Sequence, residues 1–90
     1  MRHCDEYIDD PTAPECLRKF LDHARSPAHG SYREDPRPSL FARHEGQPVR
    51  VVMASRLGDV GITHDLTKTH GYSKRVAVAD LTDFTAEPAS

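Results

Sequence analysis

Ninety residues allow one domain with a small core, and the net charge of −2 is close to neutral. Residues 1–38 carry six Lys/Arg against eight Asp/Glu, and residues 39–90 carry six of each, so neither half has the cationic excess that drives phosphate-backbone binding. The longest apolar run, Val51 to Ala54, is too short to span a bilayer. No segment has the charged start and apolar middle of a signal peptide. With two cysteines only, Cys4 and Cys16, the expected setting is a reducing cytoplasm in which both are free thiols. Compactness and the preference for Arg over Lys, nine to three, suggest a bacterial or phage source.

The first ten residues are polar and acidic, with Asp5, Glu6, Asp9 and Asp10 around Tyr7 and Ile8. They read as an arm or a loose strand. A helix is predicted next. Thr12 and Glu15 have capping-box spacing, and Pro14 falls in the first turn, where its missing donor costs nothing. Ala13, Cys16, Leu17, Phe20, Leu21 and Ala24 recur at helical spacing and form one apolar stripe, so the helix should run about three to four turns. Pro27 ends it, and residues 26–38, with three prolines and a glycine, read as a turn-rich connector.

From Ser39 the pattern becomes that of strands. Leu40, Phe41 and Ala42 suggest a short first strand, followed by a turn over His44-Glu45-Gly46-Gln47. Val49, Val51 and Met53 alternate with Arg50, Val52 and Ala54. Gly58 and Gly61 bracket Asp59-Val60, as in a sharp hairpin or a bulge, and Ile62 extends the strand beyond. Residues 65–73 form the longest loop, and Arg75 to Ala79 a further strand with Val76 and Val78 on one face. Asp80 to Phe84 reads as a closing turn whose Leu81 and Phe84 plug the end of the fold. The divisions expected are an arm, helix and connector over 1–38, a β domain over 39–85 and a tail over 86–90.

Gly46, Val49, Val51, Gly58, Gly61 and Ile62 are spaced in a way that resembles the KOW motif, with Ala54 standing where that family usually has a glycine. The resemblance covers residues 46–62 closely and about half the chain loosely. It implies an SH3-like barrel, and through some family members an RNA-contacting role in transcription or translation. The fold class expected is therefore α+β: an N-terminal amphipathic helix followed by a small SH3-like antiparallel β-barrel. The helix stripe should pack across the barrel's open end.

Three chemistries compete for the polar residues. Cys4, Cys16, His23 and His29 carry zinc-ligand atoms, but eleven residues separate the cysteines, six separate Cys16 from His23 and five separate the histidines. Zinc sites pair ligands two to five apart, so a small zinc protein is the second alternative and no metal is assigned. His44, His64 and His70 lie near Asp59, Asp65 and Lys74, yet no spacing binds them into a catalytic set, and no phosphate-cradling loop is present. The chain is accordingly not expected to be an enzyme, and no cofactor is expected. The remaining chemistry is a binding face: Arg50, Arg56, Asp59, Lys68, Tyr72, Lys74 and Arg75, supplied by strands and the loops between them. An aromatic beside cations suits single-stranded nucleic acid as well as protein. The first expectation is a non-catalytic interaction or regulatory module with a protein partner. RNA or DNA contact is the alternative, a homodimer is allowed for, and no membrane association is expected.

Overall fold

The computed structural model describes residues 3–25 and 38–87. Most of the connector expected at 26–38, with Pro27 and His29, lies outside the described residues, as does the end of the tail.

The N-terminal arm is a helix rather than a strand or loose segment: α1 spans Cys4–Ile8. Five residues cannot hold a helix alone, so its stability comes from contacts made elsewhere. The Glu6 carboxylate accepts the His3 N–H at 3.0 Å, and the Cys4 N–H donates to the Arg56 carbonyl at 3.1 Å. Cys4 itself is fully buried. The second helix, α2, spans Glu15–Ala24 and begins at Pro14, whose carbonyl accepts the first intrahelical bond from Arg18. The predicted Thr12 cap does not form. Asp10 Oδ1 accepts both the Thr12 N–H and its hydroxyl, at 2.9 and 2.6 Å, so Thr12 is spent in a local turn. The stripe is as read: Leu17, Phe20, Leu21 and Ala24 are buried and Cys16 is half-buried, while Ala13 precedes the helix.

Five strands make one antiparallel sheet: β1 Leu40–His44, β2 Gln47–Ala54, β3 Asp59–Thr63, β4 Lys74–Ala77 and β5 Leu81–Thr85, in the order β4-β3-β2-β1-β5. The first turn is the two residues Glu45 and Gly46, both at positive φ (54° and 79°), which is the twist that suits a tight hairpin. The next turn sits at 55–58 and uses Gly58, at φ 97°. Gly61 lies inside β3 and is not part of the reversal. β4 stops at Ala77 and passes into a 3-10 turn, Val78–Asp80. The expected closing turn is therefore a strand. β5 pairs with β1, Leu81 opposite His44 and Thr85 opposite Phe41, with an irregularity between Phe41 and Arg43.

This topology forces the sheet to curl. β4 and β5 are its two edges, which a flat sheet would hold about 19 Å apart. Leu81 also sits opposite His44 at the start of β2, whereas Ala77 sits opposite Asp59 beyond the end of β2. That stagger adds about 26 Å along the strands. Yet four Cα steps join Ala77 to Leu81, a reach of at most about 14 Å. The sheet must wrap to satisfy both, and the register shift between Val51 and Met53 in β2 is a place where it can bend. No pairing joins β4 to β5, so the ladder remains open among the described residues.

The concave side holds the core. Leu40, Ala42, Val49, Val51, Val60 and Ile62 meet Leu17, Phe20 and Leu21 of α2 and Cys4 of α1 in a single cluster, with Phe84 packed at its margin. α2 contacts β1, β2 and β5. Each of its large side chains contributes about 1.5–3 kcal/mol by leaving water. The N-terminal helices and the strands are thus built around one core.

Candidate interaction face

The convex side of the sheet carries the candidate site. Val60 and Ile62 point into the core, so Gly61 between them faces outward. Met53 and Arg75 are its cross-strand neighbours. The Tyr72 side chain lies directly on Gly61: a Cβ built there would stand 2.5 Å from Tyr72 Cγ. Only glycine admits that approach, and β3 supplies it. Tyr72 remains 37% exposed despite this seat, while Leu57 in the β2–β3 turn is 54% exposed. Beside the ring, Arg75 Nη2 meets Asp59 Oδ2 at 3.3 Å. Tyr72 thus lies over the Gly61–Arg75 rung, and Asp59 pairs with Arg75 there.

The other expected site residues are placed differently. Arg50 is turned to a structural task. Its Nη1 donates to the Leu66 carbonyl at 3.1 Å, its Nη2 to Ser39 Oγ at 3.0 Å, and its guanidinium lies 5.2 Å from the Phe41 ring centroid. It latches the β3–β4 loop to β1 and β2 with two arms of its fork. Arg56 is exposed in the β2–β3 turn, whose backbone is tied to α1 through Cys4, so it belongs to a different part of the surface. Lys68 and Lys74 are both exposed, the first in the loop and the second on the edge strand. The loop carries its own brace. Asp65 Oδ1 accepts the Thr67 N–H at 3.0 Å and its hydroxyl at 2.7 Å, and these bonds hold the Asp65 carboxyl below the usual carboxylate range.

The zinc residues do not assemble. Among the described residues no group of three or more His, Cys, Asp or Glu is placed to hold a metal, and His29 lies outside them. Both cysteines are free thiols. Cys4 Sγ donates to the Ser55 carbonyl at 2.9 Å, and burial pushes its pKa up to about 11. It stays a neutral thiol at ordinary pH and ties α1 to the start of the β2–β3 turn.

Sequence reasoning missed two surface depressions, because neither exists without α1. One, of about 500 Å³, opens between Ile8, Pro11 and Ala13 on one side and Arg18, Lys19 and Asp22 on the other. A smaller one, about 250 Å³, runs between Tyr7, Pro14 and Leu17 and the β4–β5 junction at Val78, Leu81 and Phe84. Both are open to solvent, and the residues that make them are scattered over the sequence. Comparison with protein-family models, with curated proteins and with solved structures finds no match to this chain.

Proposed function

We propose that the curled sheet is a small SH3-like β-barrel left open between β4 and β5, and that the chain is a non-catalytic interaction module that binds a protein partner. The barrel reading is supported by the stagger between Ala77 and Leu81, since closing a sheet requires such a shear. The binding reading is carried by one observation: an exposed tyrosine held rigidly on a glycine, beside an arginine. Aromatic and Arg side chains dominate interface energetics, and a ring already fixed in place loses little freedom on binding. The Arg75–Asp59 pair, half in water, adds register and on-rate more than affinity.

Local charge favours keeping a second reading, a KOW-like contact with RNA or DNA. Residues 64–75 hold Lys68, Lys74 and Arg75 against Asp65 alone, a cationic segment around Tyr72 on a chain of net charge −2, with Asp59 of β3 answering Arg75. Two measurements separate the readings. Pull-down from nuclease-treated lysate should retain one dominant protein with the wild type and lose it with Tyr72→Ser. Nucleic-acid contact predicts instead that the bound material disappears on nuclease treatment and that affinity falls steeply with salt. An eluate of nucleic acid alone overturns the first reading.

A further inference from the structure

We infer that the free edge of β4 is a docking strand, which takes an extended, acidic segment of the protein partner as a sixth strand. The inference rests on the interaction-module reading and names the chemistry of the partner. It starts from hydrogen-bond phase. The Val78 N–H donates to the Gly58 carbonyl at 3.0 Å, and β4 pairs with β3 as Ala77 to Asp59, Val76 to Val60 and Arg75 to Gly61. Antiparallel ladders alternate, so Ala77 and Arg75 direct their amide groups away from β3. The Ala77 N–H and both backbone groups of Arg75 thus form a row on the outer edge of the sheet. No strand among the described residues pairs there.

The other edge is a poorer template. β5 is broken by its irregular register against β1, and Asp83 sits at φ 53°, so no flat row of donors and acceptors is presented. At β4 the charges select the occupant. The exposed Lys74 makes no side-chain salt bridge or hydrogen bond with the described residues, and Arg75 follows it in β4. An acidic strand is attracted, whereas a second copy pairing β4 with β4 would bring Lys74 and Arg75 of both copies together across a four-residue strand. The Tyr72 face adjoins this edge through the Gly61–Arg75 rung, so a partner can use both.

The probe is a fluorescein-labelled seven-residue peptide of alternating Glu and Val, followed by fluorescence anisotropy. It should bind more tightly than its Lys–Val counterpart, and N-methylation of alternate amides should abolish binding. On the protein side the test is Ala77→Pro. Ala77 has φ −73°, which proline adopts without strain, and its N–H plays no part in the β3 ladder. The variant should keep its thermal midpoint and lose about tenfold in peptide affinity. Lys74→Glu should reverse the preference toward Lys–Val. Equal binding of the methylated peptide, or of the Lys–Val peptide, overturns the inference, and the methylated probe decides even if the proline variant fails to fold. A chain that dimerises through β4 and does not release its partner copy to the peptide overturns it too. If a lysate partner is lost with Tyr72→Ser but kept with Ala77→Pro, the edge reading fails and the interaction module stands. If no protein partner is found and the peptide does not bind, both fail.

Discussion

Gly61 and Tyr72 are closely interdependent. A methyl group at Gly61 would collide with the ring, and Gly61 is not at positive φ, so the substitution tests packing alone. Gly61→Ala should cost about 1–3 kcal/mol of stability, read from the denaturant midpoint, and displace Tyr72. Loss of partner binding beyond the loss of stability would mark the displaced ring as the contact. Cys4 gives a second residue-level expectation. Its folded pKa of about 11 lies above the ordinary 9.0, so below pH 9 both states hold the proton and its contribution is intact. As pH rises from 9 toward 11 the unfolded chain ionises first, and stability falls by about 1–3 kcal/mol. Cys4→Ala should flatten that part of the pH profile of the urea midpoint. The thiol of wild-type Cys4 should react with disulfide reagents only at the rate of unfolding, whereas half-buried Cys16 should react sooner.

Elements whose burial follows a simple period were legible, and those fixed by remote partners were not. The α2 stripe and the alternation of Val49 and Val51 announced their own faces. Truncating that stripe should be costly: Phe20→Ala is expected to lose about 3–5 kcal/mol, measured by chemical denaturation. α1 was unreadable because its five residues are held by the Arg56 and Ser55 carbonyls, more than fifty positions away. β5 was unreadable for a related reason. Thr82 and Asp83 are exposed and Phe84 is half-buried, so the strand lacks an alternating pattern and is defined by its pairing with β1. The Thr12 cap failed because Asp10, two residues earlier, offers a nearer acceptor. At the candidate face, the residue types were visible but their division was not. Nothing in the sequence near Arg50 shows that Leu66 and Ser39 will occupy its donors.

At the scale of the whole molecule, α1, α2 and the strands share one hydrophobic cluster among the described residues. Helical circular dichroism and the near-ultraviolet signal of the tyrosines should therefore decay at one temperature. Two separated transitions would show that the helices and the sheet unfold as distinct units. The pairing of β5 with β1 has a consequence for biosynthesis. β1 has neighbours on both sides, but one of them, β5, is the last of the five described strands to be made. While the ribosome still shields Leu81–Thr85, one flank of β1 is bare, and with it a strip of apolar surface open to chaperones and proteases. A nascent chain stalled before Leu81 should be cleaved quickly by a probe protease, and one extended far enough to free Thr85 should abruptly become resistant.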